Sequence, residues 1–156
     1  MAFEIVDWSL GAGTVALSPL PNSEAELDVL RAWAPEVVVS LTSAAEMGVA
    51  LAGLQGGDWD WRHCEIVDFG TPDAEFEAGW PEMSARLLRR LQAGGRVLVH
   101  CRGGCGRSGM VVLALMVASG EAPEAALQRL RARRPCAVET DAQLAWAIRE
   151  EFGEKH

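Results

Sequence analysis

Tyrosine is absent from this 156-residue chain, so aromatic contacts at its surface fall to six tryptophans and four phenylalanines. Positive charge is in deficit too. Fourteen Lys and Arg against 22 Asp and Glu leave a formal net charge of −8, which argues against nucleic acid or an anionic membrane as the main partner. No apolar run is long enough to span a bilayer, the longest being the stretch that begins at Met110 and ends at Ala118. The opening residues Met1 to Asp7 carry neither a basic start nor a long apolar stretch, which predicts a chain without a secretion signal. Cysteines occur only at 64, 101, 105 and 136, and they do not read as the disulfide framework of a small secreted domain. Together these absences predict a cytoplasmic protein. Repeats and low-complexity segments are missing as well.

What is present reads as one globular domain, residues 1–156. Hydrophobic residues make up 49% and charged residues 23%, enough for a full core but in a chain too short for two. Short strands are predicted over Phe3 to Trp8 and Gly13 to Leu17, the second entering the turn-rich Ser18-Pro19-Leu20-Pro21-Asn22. Ser23 with Glu26 forms a capping box for a helix to about Ala34, stopped by Pro35. Glu36 to Leu41 is an apolar strand of the fully buried kind. Ser43 with Glu46 repeats the capping box for a helix fading at Gly56-Gly57, and Arg62 to Val67 is the next strand. After the polar loop of residues 68 to 73, a helix is predicted from near Pro81 to Ala93. Arg96 to Val99 reads as a strand, and helices follow over residues 110 to 118, 123 to 134 and 140 to 152. Strands alternating with helices predict a three-layer α/β/α fold around a mainly parallel sheet of about four to five strands.

The chemistry concentrates in His100-Cys101-Arg102-Gly103-Gly104-Cys105-Gly106-Arg107-Ser108-Gly109, between a strand and a buried helix. Ligands of parallel sheets bind outside the carboxyl ends of strands, where Cys101 falls. The first-turn N–H groups and the loop amides converge there, and the helix dipole favours negative charge. The glycines let the backbone approach a bound group closely. Arg107 adds a planar fork for two oxygens of a tetrahedral oxyanion, and the same positive field keeps the Cys101 sulfur nucleophilic at neutral pH.

Cysteine, five residues, arginine, then serine resembles the signature of the cysteine-dependent protein-tyrosine and dual-specificity phosphatases. The resemblance extends to the kinase-associated (cyclin-dependent kinase inhibitor 3-like) branch through Leu17-Ser18-Pro19-Leu20-Pro21, Val39-Ser40-Leu41-Thr42-Ser43 with Glu46, Asp68-Phe69-Gly70-Thr71-Pro72-Asp73, and Val138-Glu139-Thr140 with Gln143. It implies a metal-independent phosphomonoesterase of phosphoproteins, phosphotyrosine foremost, needing no cofactor and acting as a monomer. In that reading Cys101 is the nucleophile, and Arg107 with the loop residues Arg102, Gly103, Gly104, Cys105 and Gly106 holds the phosphate. Ser108 eases departure of the thiolate or only caps the helix after the loop, and Gln143 helps to place the hydrolytic water or serves only as a capping partner.

A proton donor must approach the leaving oxygen from a mobile loop. Asp68, 33 residues before Cys101 and directly after a strand, is the candidate. Asp73 is the rival, with helix capping as its other role. His100 is read as bonding backbone carbonyls or a hydroxyl. Cys105, where the branch usually carries an apolar residue, is either a loop filler or a thiol that could trap oxidised Cys101, and Cys64 is a second such thiol or a core residue. Arg129, Arg131, Arg133 and Arg134 form either a solvated helix end or a substrate-facing rim. An aromatic lip would come from Trp59, Trp61, Trp80 or Phe69. Competing readings are a phosphate-binding module without turnover, a rhodanese-like sulfurtransferase, and a zinc site from Cys101, Cys105, His100 and Cys64. The loop carries no lysine, which weighs against phosphoinositides.

Overall fold

A computed structural model describes residues 3–149. The elements run β1 (Val6–Leu10), β2 (Gly13–Ser18), α1 (Glu24–Trp33), β3 (Val37–Ser40), α2 (Ala44–Met47), α3 (Ala50–Gln55), β4 (Asp60–His63), α4 (Ala74–Gln92), β5 (Arg96–His100), α5 (Gly106–Ala118), α6 (Pro123–Arg133) and α7 (Asp141–Ala147). The strands form one sheet in the order β1-β2-β5-β3-β4. Only the β1–β2 hairpin is antiparallel; the other neighbours are parallel.

The three middle strands bury both faces, and their period-two alternation sorts side chains into two cores. Val15, Leu17, Val37, Val39, Val97 and Val99 point to the side covered by α4 to α7. Ala16, Val38 and Leu98 point to the side covered by α1 to α3. Helix α5, buried on nearly every side, is the central element of the larger layer, so the loop that precedes it rests on rigid support. The register aligns Ser18, His100, Ser40 and His63 across the carboxyl ends of the four parallel strands. Cys101 therefore emerges from a row of polar residues at the sheet's edge.

Several boundaries differ from the sequence expectations. The first strand starts at Val6, three residues late. The helix expected between Ser43 and Gly56 is two short ones, interrupted where Gly48 takes a φ of 53°. Strand β4 lies at Asp60–His63, earlier than the predicted Arg62 to Val67. The ladder ends with Cys64 N–H donating to Ser40 O at 2.9 Å, because β3 itself stops there. Helix α4 begins at Ala74, seven residues before Pro81, which lies within it. Asp73 caps the helix by accepting from Phe76 N–H at 2.9 Å, and Phe76 and Trp80 stack on each other and meet Trp146 of α7 edge-on and tilted. That packing outweighs the one backbone bond the proline removes. Helix α7 ends at Ala147, and the predicted continuation over residues 150–152 lies outside the described residues.

Candidate active site

Cys101 is 3% exposed at the base of the loop. Its Sγ lies 3.2 Å from Ser108 Oγ, and Ser108 N–H points at it from 3.4 Å. Behind it, His100 is wholly buried in a chain of fixed polarity. Cys101 O can only accept, so His100 Nδ1–H donates to it at 3.3 Å. Nε2 of the neutral ring is then the acceptor for the Ser40 hydroxyl at 2.6 Å, while Ser40 Oγ accepts from Trp61 Nε1–H at 2.9 Å. The expected carbonyl and hydroxyl partners of His100 are both present. Burial pushes the imidazole down to about 4, so at neutral pH it is an uncharged spacer that fixes the start of the loop.

Arg107 is 1% exposed and oriented by a carboxylate. Its Nη1 and Nη2 donate to Glu46 Oε1 and Oε2 at 3.0 and 2.9 Å, and Nη1 also donates to Ile66 O at 2.9 Å. Glu46 is itself fixed by its capping box, accepting from Ser43 N–H at 2.9 Å. The Arg107 guanidinium holds the Glu46 carboxyl down at about 2. Such a planar two-point pair sets the direction of the guanidinium as well as its charge.

Asp68 enters from the opposite side, its Oδ1 3.3 Å from Arg107 Nη2 and its side chain 46% exposed. The loop that carries it is lightly held. Phe69 takes a left-handed φ of 60° and is 62% exposed, which makes it the one aromatic of the four candidates placed at the surface here. Trp80 is core, and Trp59 and Trp61 pack against the smaller core. Gly70 O accepts from Gln143 Nε2–H at 3.1 Å. Gln143 Oε1 meanwhile accepts from Glu139 N–H and Thr140 N–H, so its capping role is present together with a tie to the acid loop. Asp73, the rival acid, is committed to capping α4. The Glu139 carboxylate overlies Gly106 so closely that a Cβ there would meet it. Burial and the neighbouring Asp68 push Glu139 up, and Arg107 opposes them.

The outer wall of the loop departs from expectation. Cys105 is bonded to Cys136 in a disulfide. It is neither a loop filler nor a free partner for Cys101, and the chain is not without disulfides. The proposed zinc set loses a ligand for the same reason. The arginine cluster divides: Arg131 and Arg133 are exposed in the last turn of α6, as expected of a solvated helix end, whereas Arg134 turns inward. Arg134 is buried and donates through Nε to Gly104 O at 2.9 Å and through Nη2 to Gly103 O at 3.1 Å. Arg131 holds Ala137 O and Val138 O, both at 2.9 Å. Arg129 bonds Ser9 O and Glu121, while Arg133 lies 3.8 Å from Asp7. Gly104, with φ +70°, packs on the backbone of Ser18 and Pro19, where any Cβ would collide. Arg102 is exposed at the loop's outer edge. Cys64 is a free, half-buried thiol beside Met83.

The structure thus brings Cys101, Ser108, Arg107, Asp68 and the loop glycines into one constellation, with Gln143 supporting it from α7. Glu46, Arg134, Cys136, Glu139 and Trp61 also converge on it without having been assigned there. Glu46 was hidden by its reading as a helix cap, and Arg134 by its charged neighbours. The pairing of Cys105 with Cys136 had no signal, because 31 residues separate the two along the chain.

A buried thiol accepting from the Ser108 amide beside a pinned guanidinium, on a mainly parallel sheet with helices on both faces, defines a phosphatase-type domain of the cysteine-dependent class. A family model described as the Swiss Army Knife protein, DSP-PTPase phosphatase domain, matches residues 12–147, and the chain belongs to this family. Among solved structures, Tk-PTP in its active form is 34% identical, with 91% of this chain and 92% of that one covered and a TM-score of 0.72. Kinase-associated phosphatase bearing a serine for its catalytic-site cysteine superposes with a TM-score of 0.81 at 23% identity, covering 99% and 96%. PTPMT1 in complex with PI(5)P gives 0.73 at 19%, covering 96% and 95%. The last two establish the shared fold. No curated protein matches the sequence. No helix among the described residues is long and apolar enough to cross a membrane.

Proposed function

We propose that the protein hydrolyses phosphomonoesters of phosphoproteins, phosphotyrosine foremost, through a phosphocysteine intermediate, as a monomeric single-domain cytoplasmic enzyme. The observation that carries this reading is the juxtaposition of the Cys101 thiol, the Glu46-pinned Arg107 and the Asp68 carboxyl around one loop.

Cys101 Sγ attacks phosphorus along the line of the scissile P–O bond. Loop amides and Arg107 follow the equatorial oxygens as charge spreads over them. Protonated Asp68 gives its proton to the departing oxygen and becomes a carboxylate. The same carboxylate then takes a proton from a water that attacks the phosphocysteine, releasing inorganic phosphate. Ser108 Oγ–H hydrogen-bonds to the sulfur and stabilises the departing thiolate as the P–S bond breaks, which the 3.2 Å separation favours. Gln143 keeps the acid loop attached to α7 through Gly70 and has a second amide N–H left for the water. Exposed Phe69 supplies an apolar lip for a phosphoaryl group. The absence of lysine from the loop weighs against inositol phosphates.

An assay on an aryl phosphate and a phosphotyrosine peptide tests this. Wild-type protein turns over both, and Cys101→Ser turns over neither while still binding tungstate. Turnover that survives Cys101→Ser would refute the assignment, and a wild type that binds tungstate without turnover would make this a binding module.

A further inference from the structure

The segment from Arg134 to Val138 takes three consecutive carbonyls of the phosphate loop. Arg134 holds those of Gly103 and Gly104, and Val138 N–H donates to that of Cys105 at 3.1 Å. In a planar trans peptide the carbonyl of one residue and the N–H of the next point in opposite directions. Drawing these carbonyls outward therefore turns the N–H groups of Gly104, Cys105 and Gly106 the other way, into the anion seat. The same segment is joined to the same loop by the Cys105–Cys136 disulfide, with Cα atoms 5.2 Å apart. Cys105 is also the N-cap residue of α5, so the covalent link attaches where loop becomes helix.

The geometry points to this disulfide as a reducible brace of the anion seat: closed, it holds the amides in binding orientation, and opened, it loosens them and weakens oxyanion binding. This deepens the phosphatase reading above and rests on it. Cys136 is an exposed residue, so a reductant has access to its side of the bond, whereas Cys105 is 8% exposed. The exchange balances with a dithiol of the thioredoxin or dithiothreitol class. A thiolate of the reductant attacks the Cys136 sulfur, the S–S bond breaks, and Cys105 leaves as a thiolate that takes up a proton. The second thiolate of the reductant then displaces Cys136, which is also protonated. The protein gains two electrons and two protons, and the reductant becomes a disulfide. Cys101 keeps its oxidation state throughout, so the device is separate from oxidation of the nucleophile.

The test uses the full chain in the Cys101→Ser background, where no catalytic thiol can confuse the redox state. Thiol labelling of the denatured protein reports whether the 105–136 pair is closed. Tungstate affinity is measured in both states, well below either thermal midpoint. The brace predicts at least fivefold weaker binding after reduction, return on reoxidation, and a redox-insensitive weak value in a further Cys136→Ser variant. In the Cys101 protein, KM for an aryl phosphate should rise by a similar factor on reduction. Equal tungstate affinities with labelling that proves both states would overturn the brace, as would a pair that never closes under mild oxidation. Redox-dependent tungstate binding without turnover in either state would instead sink the phosphatase reading and leave the brace standing.

Discussion

On one side of the phosphate loop, residues 134 to 138 are fixed by a disulfide, a buried guanidinium and a backbone bond to Cys105. On the other, residues 68 to 70 are held by a single-turn bond, one contact from Gln143 and the approach of Asp68 to Arg107, with Phe69 facing water. In the proposed function the fixed wall holds the anion and the lightly held wall delivers the proton. An anion seat gains from donors that need no reorganisation when charge develops. A proton donor must instead admit substrate before it closes over the leaving group. The same few ångströms thus hold both the stiffest and the least restrained parts of the site.

The comparison can be broken from either side. The largest effect belongs to the nucleophile between the walls: Cys101→Ser should cut kcat by about 10⁴-fold or more, with oxyanion binding retained by calorimetry. On the lightly held wall, Asp68→Ala should lower kcat about 10²- to 10³-fold for alkyl phosphates and much less for nitrophenyl phosphate, with KM little changed. Equal losses on both substrates would remove Asp68 from the proton transfer. On the fixed wall, Arg134→Ala should raise KM and weaken vanadate inhibition about tenfold while leaving the leaving-group dependence alone. Arg134→Lys, which cannot span two carbonyls in one plane, should restore only part of that loss.

Smaller effects concern stability. Glu46 sits below its ordinary 4.5 at about 2 because of Arg107. A carboxyl depressed by folding stabilises the protein fully above its unfolded value and loses that contribution as pH falls from 4.5 to 2, here about 3 kcal/mol. His100, lowered by burial from 6.5 to about 4, acts over a higher window, since the unfolded imidazole binds its proton first as pH falls from 6.5 to 4. Denaturant melts against pH should show stability declining through both windows. Glu46→Gln should flatten the lower one, and an unchanged lower slope would contradict the pairing. Smallest of all, Asp73→Ala should cost about 1 kcal/mol by removing the α4 cap with kcat nearly intact. A kcat loss matching that of Asp68→Ala would transfer the acid role.

The residues proposed as nucleophile, phosphate-binding cation and acid were more legible in the sequence than their supports. Cys101, Arg107 and Ser108 occupy fixed spacings in one loop, and Asp68 follows a strand, so local pattern reveals them. Glu46 binds an arginine 61 residues away, Trp61 reaches His100 through Ser40, and Cys136 pairs with Cys105 across the two helices α5 and α6. These are contacts of tertiary packing, which periodicity and capping patterns do not encode. The central strands were readable because burial on both faces makes them continuously apolar. Strand β4 and the start of α4 were not, because a ladder's end and an aromatic cluster decided them against the local signal of Pro81.

The most direct test is to quench the enzyme in acid during turnover of an aryl phosphate and map the modified peptide by mass spectrometry. The account predicts one phosphoryl group on Cys101, accumulating further when Asp68 is replaced by alanine and absent from Cys101→Ser. Steady turnover with phosphate on another residue, or with no labelled protein in the Asp68→Ala variant, would contradict it.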